Sequence, residues 1–142
     1  MKNSVINEAF DAVLSRFADD NNWQVLWPNV DEPDLTPPFL IPDLLVATPN
    51  QFGMQDDARM LRGIYQVRVI TGSGSGVGDA LAASEAIEQV FNDAFLPNDN
   101  SPGVVTADGV ISLQFKAYSG TGFRGELGYT IPVSMQYTAN GG

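Results

Sequence analysis

The run Leu61-Arg62-Gly63-Ile64-Tyr65-Gln66-Val67-Arg68-Val69-Ile70-Thr71 decides how this chain is read. It sets Gly63, Tyr65, Val67 and Val69 against Ile64, Gln66, Arg68 and Ile70, the period-two pattern of a strand with one inward face and one half-apolar face. Gly72, Gly74, Gly76 and Gly78 follow, and then Asp79 stands where an N-cap would open a helix. The inward residues of that helix are Ala80, Ala83, Ile87, Val90, Phe91 and Ala94, and Pro97 lies just beyond it.

Upstream, Ile6, Ala9, Phe10, Val13, Leu14 and Phe17 fall at helical spacing among Glu8, Asp11, Ser15 and Arg16. This predicts an amphipathic helix over about residues 4–19, capped by Asn3 or Ser4 and ended by Asp19-Asp20-Asn21-Asn22. Trp23, Val25 and Trp27 predict a short strand that stops at Pro28, with the two tryptophans on one face. Residues 31–38, with three prolines and three acids, read as a loop. Leu40 to Ala47 reads as a second strand, with Pro42 accepted at an edge or bulge.

Downstream of the glycines the pattern is β-rich. Val104 to Ala107 and Val110 to Ala117 flank a turn at Asp108-Gly109, and Ile111, Leu113 and Phe115 point one way. A glycine-rich stretch from Ser119 to Gly128 leads to a last strand in which Tyr129, Ile131, Val133, Met135 and Tyr137 alternate with polar residues. Pro132 argues that this strand is an edge or carries a bulge, and residues 139–142 read as a loose tail. Two helices, about six alternating strands and no βαβ repeat predict an α+β fold. Its mainly antiparallel sheet carries both helices on one face, in a single domain over residues 1–142.

Composition removes whole classes of function. The 142 residues contain no Cys and no His, which excludes disulfide scaffolds, thiol nucleophiles, a histidine base and nearly every zinc site. Formal charge is −10; residues 1–58 hold 2 basic and 10 acidic side chains, or −8. That surface repels phosphate backbones, and the scattered Arg59, Arg62, Arg68, Lys116 and Arg124 make no basic stripe, so specific nucleic-acid binding is not expected. The acidity serves either solubility or attraction to a basic partner. No apolar run approaches a membrane span, and the N-terminus lacks the apolar core of a signal peptide.

The candidate chemical motifs fail on spacing. Glycines at 72, 74, 76 and 78 give no G-x-G-x-x-G, and no Lys-Ser/Thr pair completes a phosphate loop, so the run reads as a connector. Asp19-Asp20, Asp31-Glu32, Asp56-Asp57, Glu85 and Glu88 are carboxylates that a glycosidase would need in facing pairs, but they lie on predicted loops or solvated helix faces. Asn98-Asp99-Asn100 lacks the glycine and distal glutamate of a calcium loop and reads as a polar turn. No catalytic residue, metal or organic cofactor is expected. Trp23 and Trp27 suit a core or an interface.

Two features point to assembly. The outward strand residues Gln66, Ser112, Gln114, Thr130, Ser134, Gln136 and Thr138 are uncharged hydrogen-bonding side chains, which fit an interface centre or plain solvent exposure. Between the second and third strands, residues 48–58 place Phe52 and Met54 among glutamines, a glycine and paired acids. That segment reads either as an arm that orders on a partner or as an exposed hairpin tip. Partner contacts are therefore expected at Phe52, Met54, Gln66, Gln114 and Gln136.

The N-terminal amphipathic helix, Trp27-Pro28-Asn29, Arg62-Gly63-Ile64-Tyr65-Gln66-Val67 with its glycine loop and helix, and the closing Tyr129-Thr130-Ile131-Pro132-Val133 together resemble tail-terminator-like proteins of long-tailed bacteriophages. The resemblance spans nearly the whole chain. It implies a virion structural protein assembled in the host cytoplasm, a hexameric ring on the tail tube that stops tube polymerisation, and a surface for the head connector protein. No catalytic residue comes with that role. The competing expectations are another neck or tail-tube protein and a carboxylate-dependent hydrolase.

Overall fold

The structure is a computed structural model that describes residues 2–28, 36–46, 60–72, 77–126 and 128–141. Helix α1 runs from Asn3–Asn21 and buries Ile6, Phe10, Val13, Leu14, Phe17 and Ala18. Its N-cap is Lys2, with no side-chain capping bond, so the expected Asn3 or Ser4 cap is not used. The end matches its sequence signal: Asn22 takes the left-handed conformation (φ 59°), and the Trp23 amide donates to Ala18 O at 2.9 Å. Helix α2, Val77–Phe95, begins two residues before Asp79, which sits in the first turn rather than at the cap. There its carboxylate still complements the positive helix end.

The strands are β1 (Gln24–Val25), β2 (Phe39–Val46), β3 (Met60–Thr71), β4 (Val104–Thr106), β5 (Gly109–Leu113), β6 (Tyr118–Ser119), β7 (Phe123–Gly125) and β8 (Gly128–Gly141). They form one sheet in the order β1-β2-β3-β8-β5-β4, with β6 and β7 also paired to β8. Among the described residues only β1 with β2 is parallel and the other pairs are antiparallel, so the sheet is mixed. The fold is α+β, as the alternation predicted. The run Leu61 to Thr71 lies between β2 and β8, paired along nearly its whole length.

The last strand is central rather than an edge, and it runs on to Gly141, so Ala139, Asn140 and Gly141 of the expected loose tail are paired; Ala139 is fully buried opposite Leu61 and Ile111. Pro132 is tolerated there for a local reason. Gly120 N donates to Pro132 O at 2.7 Å, and a strand residue directs its N and O to the same side. The imino nitrogen therefore faces the interval where β6 has ended and β7 has not begun. Pro42 repeats the device: Leu26 N donates to Leu40 O at 2.8 Å, so residues 40 and 42 both look away from β3, and β1 has already stopped at Val25.

Both helices pack on one face of this sheet, their buried side chains joining Leu40, Tyr65, Val67, Val69, Ile111, Leu113, Val133, Met135 and Tyr137 in one core. Phe10 is its hub, stacked on Tyr65 at 4.7 Å and on Phe95 at 4.2 Å between ring centroids. Trp23 and Trp27 pack partly buried against this core, which decides for the core reading of the tryptophans. On the opposite face of the sheet, Phe39, Ile41 and Ile70 form a second small cluster with Leu26. The hairpin β4–β5 turns through Ala107-Asp108, one residue earlier than expected, and Gly109 takes the positive φ of 144°.

Candidate functional site

The sheet face opposite the helices carries the candidate site, and register builds it row by row. Phe39, Ile70, Thr130 and Phe123 stand side by side at one end. Two residues further along β8 come Ile41, Arg68 and Pro132, then Asp43, Gln66, Ser134 and Tyr118, then Leu45, Ile64 and Gln136. Arg62, Thr138 and Ser112 form the next row. Alternation along each strand keeps all of these on the same side.

Side chains on this face bond to one another. Gln66 Nε2 donates to Ser134 Oγ at 3.3 Å, Gln136 Nε2 to the Tyr118 hydroxyl at 3.1 Å, and the Ser112 and Thr138 hydroxyls share a bond at 3.3 Å. Arg68 Nη2 meets Asp43 Oδ2 at 3.3 Å in a half-exposed pair. Polar groups paired in this way are fixed in place, which suits a surface that must dock without reordering. Large apolar side chains stand exposed at the margins: Leu45 at 51%, Tyr118 at 43% and Phe123 at 51%.

Of the sequence-predicted contacts, Gln66 and Gln136 lie in adjacent rows of this face, and the backbone N–H of Gln114 donates to the backbone carbonyl of Gln136 at 2.9 Å, so the three glutamines are neighbours in the fold. Thr130 and Ser134, expected outside, are buried at 4% and 7% exposure. Phe52 and Met54 lie outside the described residues, as do Asp31, Glu32, Asp56 and Asp57. Asp19, Asp20 and Glu85 are exposed, and Glu88 accepts a hydrogen bond from the Ser119 hydroxyl. Asn98 Oδ1 accepts from Asn100 N at 2.8 Å, closing the polar turn read from sequence.

Sequence reasoning missed the apolar margin at Leu45 and Tyr118, since Leu45 was read only as part of the second strand and Tyr118 fell between the strand ending at Ala117 and the glycine-rich stretch from Ser119. It also missed a polar contact in the core. The buried Tyr65 hydroxyl donates to Asp11 Oδ1 at 2.6 Å; burial raises the Asp11 carboxyl above its ordinary value, partly offset by this bond, and pushes the Tyr65 phenol up strongly. An inward tyrosine needs a partner for its hydroxyl, which was the available signal. Among the described residues, no three carboxylates cluster closely enough to hold a metal ion, and no helix is long and apolar enough to cross a membrane.

Comparison with known proteins supplies the identity. A solved structure that is 21% identical in sequence superposes with a TM-score of 0.70, covering 99% of this chain and 96% of that chain, which establishes a shared fold. No curated protein matches the chain. The family model described as "Phage tail terminator protein" matches residues 5–137, from the first turn of α1 to within four residues of the end of β8. The chain therefore belongs to the phage tail terminator protein family, whose members are structural components of the virion.

Proposed function

We propose that the protein forms a closed ring of six copies on the finished end of the tail tube, stops tube polymerisation there, and offers its outer side to the head connector protein. Family membership over residues 5–137 carries this reading. The helix-free sheet face supports it, with uncharged polar side chains bonded to one another between exposed apolar margins. Gln66, Gln114 and Gln136 on that face, and Phe52 and Met54 in the connection between β2 and β3, are the proposed contacts. The role needs no metal, organic cofactor, membrane or specific nucleic acid, and assembly takes place in the host cytoplasm.

Electron micrographs of tails assembled without this protein test the proposal. Overlong or headless tails are expected; particles of normal length with heads attached would refute it. A closed ring distinguishes a terminator from a tube protein, which grows into an open filament under assembly conditions.

A further inference from the structure

The two layers of the fold carry opposite charge. Helix α1 holds Glu8, Asp11, Asp19 and Asp20 against Arg16, and α2 holds Asp79, Glu85, Glu88 and Asp93 with no basic residue, a net of −7 for the helical layer. On the open sheet face the strands carry Arg62 and Arg68 against Asp43, a net of +1, while Arg124, opposite Tyr129, alternates to the other side. The outward side of α2 is also apolar in its first half: Val77 and Leu81 are each 47% exposed, and Ala82 and Ala86 are exposed beside them, flanked by Asp79 and Glu85.

The open sheet face has the matching shape and chemistry. Leu45 on β2 and Tyr118 on β6 stand three strand spacings apart, roughly 14 Å, and a helix with side chains is about 10–12 Å across. Between them lie Ile64, Gln66, Ser134 and Gln136, none of them charged, with Arg62 and Arg68 in the rows to either side.

We propose that the open sheet face of one subunit receives the outward face of α2 from a second copy of this chain. The exposed Leu81 side then packs between Leu45 and Tyr118, and the acids of α2 lie over β3, which bears Arg62 and Arg68. Because the two surfaces are on opposite sides of the same chain, the contact is head-to-tail, and a rotation that closes makes a ring. Charge complementarity sets which face meets which and in what orientation. This inference rests on the ring reading and specifies the surfaces that build it.

Leu45→Asp and Leu81→Asp test it, since both residues are exposed and neither substitution removes a core contact; circular dichroism checks that each variant folds. By sedimentation velocity, wild type is expected to form the ring while each variant alone loses it. An equimolar mixture of the two is expected to form a one-to-one dimer and nothing larger, because one intact sheet face and one intact helix face remain to be joined. Rings formed by either variant alone, or two monomeric variants that stay monomeric when mixed, would overturn the head-to-tail contact and leave the ring reading standing. A wild-type protein that stays monomeric at every salt and protein concentration, and beside tail tubes, would overturn the ring reading and this contact with it.

Discussion

The Tyr65 hydroxyl donates a 2.6 Å hydrogen bond to Asp11 Oδ1, tying the middle of α1 to the centre of β3 across 54 positions of sequence. Asn7 Nδ2 holds the other carboxylate oxygen at 3.2 Å. The pair fixes the lateral position of the helix on the sheet, which stacking of Phe10 on Tyr65 alone would leave free to slide.

Stability should therefore depend on the ionisation of Asp11. Burial raises its pKa from the ordinary 3.8, so the folded state holds the proton more tightly than the unfolded chain. This contribution is fully present below 3.8 and is lost as pH rises through the folded value. Urea midpoints of wild type and Asp11→Asn, measured across that range, isolate the term from the other carboxylates. The stability of wild type relative to the variant is expected to fall from acid toward neutral pH and then level off; a rise over the same interval would contradict it. Tyr65→Phe should cost about 1 kcal/mol at neutral pH, since water can replace part of the lost bond to the half-buried carboxylate.

Gly63 faces Tyr137 across the β3–β8 ladder, and a Cβ there would lie 2.5 Å from the Tyr137 hydroxyl oxygen and 2.5 Å from Leu45 O. The tyrosine can shift, but the β2 backbone cannot, so Gly63→Ala should destabilise by about 1–3 kcal/mol through overpacking. The Tyr137 hydroxyl is buried with no hydrogen-bond partner among the described residues, and burial pushes its pKa up to about 12. Tyr137→Phe should accordingly be neutral or slightly stabilising. In a double-mutant cycle by urea denaturation, Tyr137→Phe should relieve part of the Gly63→Ala cost; strict additivity would show that Leu45 O alone sets it.

How far the sequence could be read follows from what periodicity encodes. Alternation in Leu61 to Thr71 assigned the correct inward face, and the 3.6-residue spacing in both helices found most of the buried stripe, because burial on one side imposes those periods directly. Register and strand order leave no such trace. Pro132 and Pro42 both signal an edge, yet β8 is central, since what proline requires is one missing neighbour at one residue, and β6 and β7 leave that interval open. The Asp11–Tyr65 bond and the margin formed by Leu45 and Tyr118 likewise join residues whose proximity only strand order creates. The three glutamines were legible as a surface because they alternate out of the core, but their meeting beside Tyr118 was not.

Phe52 and Met54 lie in the connection between β2 and β3, outside the described residues. As partner-binding residues they should matter to assembly and not to folding. The double variant Phe52→Ser, Met54→Ser is expected to keep its urea midpoint while ring formation and tail attachment weaken. Burial on a partner stabilises by roughly 1.5–3 kcal/mol for each such side chain, partly offset by the cost of ordering the loop. Unchanged assembly in the double variant would remove both residues from the contact set.

Ionic strength should act on assembly with a definite sign. Each subunit carries a formal charge of −10, so copies brought into one ring repel as whole bodies even where a sheet face of net +1 meets a helical layer of net −7 at contact. The net repulsion operates over distances comparable with the subunit itself, and the screening length falls from about 30 Å at 0.01 M salt to about 8 Å at 0.15 M. Contacts within the interface are shorter than either length and partly shielded from solvent, so salt removes the repulsion faster than it removes the complementarity. Ring formation measured by light scattering should therefore strengthen between 0.01 M and roughly 0.15 M salt and change little beyond. Association that is strongest at the lowest salt would mean that the opposed layers outweigh the net charge.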